Sequence, residues 1–194
     1  MVNTIKKVLC LGAGFDQYSL IKILKKKNFY VIALDNNKNS YSKDIADEFY
    51  SFNLKNHKKL LNFCKKINVV AVMTHAAELS IQESLIANYL KLRGNSLTIS
   101  QTLTLKDKRA LFFKKNEINY PDFQIVNNLK LEINIIKNFL KKNKSIVIKP
   151  TNLSGAKGVE KIENIQQLKN YINHSNKKAR YIIEKKINGL EISS

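Results

Sequence analysis

The sequence has no tryptophan, and its 194 residues include only two cysteines, two prolines and six glycines. Cys10 and Cys64 lie inside apolar-periodic segments, with no further thiol or histidine at metal-ligand spacing. That pattern offers neither a disulfide framework nor a zinc site, and it predicts buried free thiols in a reducing cytoplasm. No run approaches the roughly 18 to 20 apolar residues that a membrane-spanning helix needs. The apolar stretch in MVNTIKKVLCLGAG is too short for a signal peptide, so the expected location is cytoplasmic.

Acidic residues are also scarce, 15 against 34 lysines and arginines, for a formal charge of +19. Such a balance can serve nucleic acid or an anionic membrane. Here the basic residues are mostly lysine, spread as KK and KKK beside Asn and Ile rather than gathered in an arginine-rich face. The expectation is solvated helix faces and attraction for anionic metabolites, with neither nucleic acid nor membrane as partner. Walker-type GxxxxGK[ST] and GxSxG signatures are absent as well.

What is present begins with a strand-helix alternation. KKVLCLGA (6–13) is a continuous apolar run ending in glycines, as expected of a parallel strand buried on both faces. A helix follows in FDQYSLIKILKKKN, then strands in YVIALDN (30–36), EFYSFN (48–53) and VVAVMTH (69–75). Helices are predicted in HKKLLNFCKKI and LSIQESLIANYLKL. This order predicts an α/β fold with a doubly wound, Rossmann-like parallel sheet over residues 1–100. Beyond it the pattern changes to an α+β unit over 101–194. SQTLTLKDKRALFFKKNEI reads as one basic helix, followed by strand PDFQIVN, helix LEINIIKNFLKKN and strand SIVIKPT. Strand VEKI, helix NIQQLKNYINHS and strand ARYIIEKKI complete it, and GLEISS reads as the start of another strand.

Three places carry candidate chemistry. LGAGFDQ (11–17) joins a buried strand to a helix, where Gly12 and Gly14 would let backbone amides approach a phosphate. Asp35 closes the second strand about 20 residues on, the position of a ribose-binding acid. The third glycine of a dinucleotide fingerprint is replaced by Gln17. A dinucleotide site, a tight turn without cofactor and a substrate-binding edge all remain open for this loop. His75 ends the fourth predicted strand and Glu78 opens the next helix, at the strand ends where open α/β sheets bind ligands. Both are candidate substrate contacts or plain polar loop residues.

The third place is the stretch SIVIKPTNLSGAKGVEKI (145–162). Lys149 ends a strand at the mouth of a loop holding Ser154, Gly155, Lys157 and Gly158. Lys108 precedes it by a strand, a helix and a strand, enough chain to return beside it. Two ammonium groups converging would repel unless a polyanion lay between them. Small residues permit close backbone approach, Ser154 offers a hydroxyl, and Lys157 offers another charge on a mobile arm. YIIEKKINGLE (181–191) alternates apolar and polar residues and then breaks at Asn188-Gly189, so it can be a hinge strand beside the loop, with Glu191 on the following turn.

Taken in order, LGAG, KDK (106–108), IVIKP (146–150), TNLSGAKGV and IIEKKINGLE resemble the ATP-grasp superfamily. That superfamily includes biotin carboxylase, carbamoyl-phosphate synthetase, D-alanine–D-alanine ligase and purine-pathway ligases. The resemblance covers nearly the whole chain, as the N-terminal portion of such an enzyme. It implies a pre-ATP-grasp domain that holds no dinucleotide and whose strand ends, Gly12 to Gly14 and His75 to Glu78, face the acceptor. It implies that Lys108 and Lys149 hold the ATP phosphates under a lid formed by the loop at 152–158. Glu184, Lys185 and Ile187 would surround adenine, and Glu191 would accept the ribose hydroxyls. The implied reaction is attack of a carboxylate on the γ-phosphate, with an amine or other nucleophile capturing the acylphosphate. The family's magnesium ligands should lie beyond residue 191, so Mg²⁺ is expected only in a complete protein and this chain is expected to be a truncated, inactive portion. A non-catalytic nucleotide-binding module and an NAD-binding oxidoreductase domain are the alternatives. The acceptor class implied is a small carboxylate or amine, and a homodimer stays open.

Overall fold

Val8, Leu9, Cys10 and Leu11 are all buried in β1 (Lys7–Leu11), because both faces of that strand are covered. The computed structural model describes residues 5–176 and 179–190. β1 lies between β2 (Tyr30–Asp35) and β4 (Ala71–Thr74), and β3 (Glu48–Ser51) extends the sheet beyond β2. All three pairings are parallel.

Leu9, Leu11, Ile32 and Leu34 pack on one face with Leu60 and Cys64 of α2 (His57–Cys64) and Ile86 of α3 (Ser80–Tyr89). Val8, Cys10, Val31 and Ala33 pack on the other with Ile21 and Leu24 of α1 (Tyr18–Lys26). Each of these two α1 side chains contributes roughly 1.5 to 3 kcal/mol of burial. The Asn56 side chain caps α2 by accepting the Lys59 amide. The chain runs outward from β1 through β2 to β3 and then returns to the opposite side of β1 as β4. Such a switch in strand order opens a crevice at the carboxyl ends of β1 and β4.

The chain divides into two units, Met1–Gln101 and Thr102–Ser194. The single basic helix expected around the KDK segment is two helices, α4 (Leu97–Thr104) and α5 (Lys106–Lys115). Leu105 between them is extended, at φ −88° and ψ 122°. The Lys106 amide therefore leaves the helical ladder and donates to the Thr151 carbonyl at 3.0 Å.

The second unit is built on an antiparallel sheet, β5 (Phe123–Val126), β8 (Tyr181–Lys185), β6 (Ile146–Pro150) and β7 (Glu160–Ile162) in spatial order. One face carries Val126, Ile146, Ile148, Ile162, Tyr181 and Ile183. It buries them against α6 (Ile133–Asn143) and α7 (Ile165–His174). The period-2 alternation of strands sends Val147, Lys149, Ile182 and Glu184 to the other face. The parallel-sheet and antiparallel-sheet units together give the α/β class read from the sequence. Of the last predicted strand, residues 191–194 lie outside the described residues, and positions 189–190 are not strand.

Candidate functional site

At the carboxyl end of β1 the chain turns through Gly12, whose φ of +92° favours glycine. The three amides of the turn are all engaged. Gly12 donates to the Leu34 carbonyl at 2.7 Å, Ala13 to Asp35 Oδ2 at 2.8 Å and Gly14 to Gln17 Oε1 at 2.8 Å. Gln17 is buried, and its Nε2 donates to the His75 carbonyl at 2.5 Å. A Cβ on Gly12 would meet the Gln17 side chain at 3.2 Å. The residue standing where a third glycine would be thus fills the underside of the turn and uses an amide that a pyrophosphate would need. Asp35 accepts a second backbone amide, from Asn37, at 2.8 Å. This geometry disfavours the dinucleotide alternative.

The same network brings Gly12, Gly14 and His75 to one edge. His75 takes part through its carbonyl, while its side chain and Glu78 are exposed. Ser42, fully buried, holds the turn from outside, its Oγ donating to the Gly14 carbonyl at 2.8 Å. Beside it Phe15 and Tyr41 stack edge-to-face at 5.1 Å, and both are exposed.

In the second unit, β6 and β7 form a hairpin around the glycine-bearing loop. Gly155, Ala156 and Gly158 have φ of +58°, +56° and +68°. Gly158 is required by contact as well as by φ, since a Cβ there would lie 2.8 Å from Pro150 Cγ. Its carbonyl accepts the Tyr171 hydroxyl at 2.7 Å, which pins the base of the loop to α7. Burial pushes that phenol up to about 12. The tip differs: Gly155 meets nothing within 4 Å, and Lys157 is exposed. Ser154 is half-buried. At the loop mouth the Lys106 ammonium donates to the Leu153 carbonyl, so α5 begins against the loop.

Lys149 pairs with Lys149's diagonal neighbour on the open sheet face, Glu184. The register sets Lys149 opposite Ile182, two residues from Glu184 on β8. The Lys149 ammonium bonds Glu184 Oε2, and Glu184 Oε1 accepts the Tyr120 hydroxyl at 2.5 Å. The Glu184 side chain is 6% exposed and that of Lys149 27%. Tyr120 is seated edge-to-face against Phe113 at 5.4 Å and Phe123 at 5.9 Å. Burial, and then its bond to Glu184, holds its phenol well above the usual tyrosine range. Sequence reading missed Tyr120. Its neighbours come from α5 and β5, and no local pattern announces them.

Of the remaining predicted residues, Lys108 is exposed on the first turn of α5. Asp107 beside it is buried and binds Arg180 Nε at 3.0 Å, while its Oδ1 meets no donor among the described residues. Lys185 and Ile187 are exposed at the end of β8, where the Lys185 amide donates to the Asp122 carbonyl. Glu191 lies outside the described residues. A cavity of about 430 Å³ beneath the loop is lined by Pro150, Leu153, Gly158, Tyr171 and Tyr181 among others. A larger one, about 690 Å³, opens beside Tyr120 between the end of α5, β5 and α6, and none of the predicted site residues lines it.

A parallel α/β unit followed by an antiparallel sheet with a glycine-bearing hairpin is the fold implied by the sequence resemblance to the ATP-grasp superfamily, and the solved structures below share it. No family model matches it. It is 30% identical over 125 residues, 63% of this chain, to a formate-dependent phosphoribosylglycinamide formyltransferase of Prochlorococcus marinus (strain MIT 9515), and covers 32% of that protein. It superposes with a TM-score of 0.68 on phosphoribosylglycinamide synthetase from Anaerococcus prevotii, at 23% identity, over 95% of this chain and 46% of the other. With N5-carboxyaminoimidazole synthetase from Staphylococcus aureus, complexed with ADP, the TM-score is 0.67 at 16% identity, over 94% and 47%. The chain therefore spans about half the length of these solved relatives and about a third of the curated one. No helix among the described residues is long and apolar enough to cross a membrane.

Proposed function

We propose that this chain is the nucleotide-clamping, N-terminal part of an ATP-dependent ligase that joins a carboxylate to an amine or related nucleophile. The observation that carries the reading is the Lys149–Glu184 pair on the open sheet face at the head of the Gly155–Gly158 hairpin loop. Glu184 already holds the Lys149 ammonium at the strand end, and a loop with positive-φ positions can close over what it holds. Lys149 and Lys108 would hold ATP phosphates, with Ser154, Gly155, Lys157 and Gly158 covering them. Glu184, Lys185 and Ile187 would border the adenine, and Glu191 the ribose. The Gly12–Gly14 turn, His75 and Glu78 would face the acceptor, a small carboxylate or amine.

The chemistry proposed for the whole protein is transfer of the γ-phosphoryl group to a carboxylate, followed by displacement of phosphate from the acylphosphate. Magnesium belongs to the same proposal. The described residues contain no group of three or more His, Cys, Asp or Glu side chains that could hold a metal, so no step is assigned to that ion here. The test is thermal denaturation with ATP, ADP and NAD. ATP and ADP should raise the transition temperature, and NAD should not. Stabilisation by NAD alone would sink the proposal in favour of a dinucleotide domain.

A further inference from the structure

Lys149 has a flexible four-carbon stem, and the direction of its ammonium is set by what it meets at its end. It meets Glu184 Oε2, and Glu184 is itself a rotatable carboxylate with two equivalent oxygens. Left alone, a glutamate on a strand can turn either oxygen, or neither, toward a diagonal neighbour. Here Oε1 is taken by the Tyr120 hydroxyl, so the carboxylate plane is fixed and Oε2 is left for Lys149. The tyrosine ring cannot follow the carboxylate, because Phe113 and Phe123 flank it edge-to-face from α5 and β5. Three elements thus converge on one ammonium: the α5–β5 connection through Tyr120, β8 through Glu184 and β6 through Lys149.

A half-buried tyrosine that finds one acceptor is ordinary. Tyr120 differs in what its acceptor does next, since the second oxygen of that carboxylate carries the charge the site depends on. A phenol is protonated across the neutral range, and burial with the Glu184 bond extends its role as a donor into the alkaline range.

We infer that Tyr120 is a positioning residue for the nucleotide clamp: it orients Glu184, and through it sets the Lys149 ammonium for a phosphate of the bound nucleotide. The inference rests on the nucleotide reading above. It says more than that reading does, because Tyr120 would touch no part of the ligand.

The experiment is calorimetric titration of the full chain and its Tyr120→Phe variant with ATP, ADP and adenosine. The variant keeps the ring and its two aromatic neighbours and removes only the hydroxyl. Loss of one hydrogen bond to a charged group corresponds to about a tenfold weakening. ATP and ADP binding should weaken by that order, and adenosine binding, which keeps Glu184 beside the adenine but offers no phosphate to Lys149, should weaken by less. A structural role would weaken all three ligands alike. Independence of folding comes from a second comparison, Tyr120→Phe made in the Lys149→Ala background. There the hydroxyl should have no further effect on ATP affinity, because the group it acts through is gone.

Unchanged ATP affinity in Tyr120→Phe, equal losses for ATP and adenosine, or full additivity with Lys149→Ala would each overturn the assignment while leaving the nucleotide reading intact. Failure of the unsubstituted chain to bind ATP would overturn both.

Discussion

The carboxylate of Asp35, at the end of β2, accepts the backbone amide of Ala13 in the turn after β1 at 2.8 Å. Its other oxygen accepts the Asn37 amide. The acid at the position a ribose contact would take in a dinucleotide site thus ties two strand ends together. Asp35→Ala should cost roughly 2 to 4 kcal/mol, since two backbone donors lose a charged acceptor. Urea denaturation followed by circular dichroism measures it. A variant as stable as the parent would show that these bonds contribute nothing net.

Lys149→Ala should weaken ATP binding more than Lys157→Ala. Lys149 projects from a strand and is already held by Glu184, whereas Lys157 is exposed on the loop tip and must be ordered on binding. Calorimetric titration of both variants decides the ranking, and equal losses would refute it.

Gly158 and Gly155 both have positive φ, yet they should differ on substitution. An alanine at 155 bears only the backbone strain, about 1 kcal/mol, because its Cβ enters open space. An alanine at 158 adds a 2.8 Å contact with the Pro150 ring, so it should cost a further 1 to 3 kcal/mol, roughly, and disturb the Tyr171 bond. Paired thermal melts would separate them, and equal transition temperatures would count against the contact argument.

Stability should fall on the alkaline side. Burial pushes Cys10 up to about 12 and Cys64 up to about 11, from 9.0. In each case the folded chain favours the protonated form, so the contribution is complete below pH 9. It declines as pH rises, because the unfolded chain ionises first. Denaturation midpoints at pH 7, 9 and 10.5 should decrease in that order, and Cys10→Ala should flatten the decline. An unchanged slope in that variant would dismiss Cys10 as a source.

Legibility followed locality. β1 and β2 were readable because burial on both faces leaves an unbroken apolar run, VLCL and VIAL. The Lys149 loop was readable because its glycines punctuate a period-2 strand. The break at Leu105 was not, since it depends on a carbonyl 46 positions away, at Thr151, that captures the Lys106 amide. Gln17 could be seen as a missing glycine, but its reach to His75 could not, because that bond spans two strands. Tyr120 was invisible for the same reason, its partner lying 64 residues along the chain.

The Lys149–Glu184 pair also sets a threshold for entry. Any anion arriving at that strand end competes with a carboxylate already in contact, in a surrounding that screens the pair poorly. A lone phosphate offers little that Glu184 does not, whereas a chain of phosphates can share the ammonium with the carboxylate and bring further charge to neighbouring donors. In a molecule carrying +19, the most protected lysine of the site is therefore the one least open to casual anions.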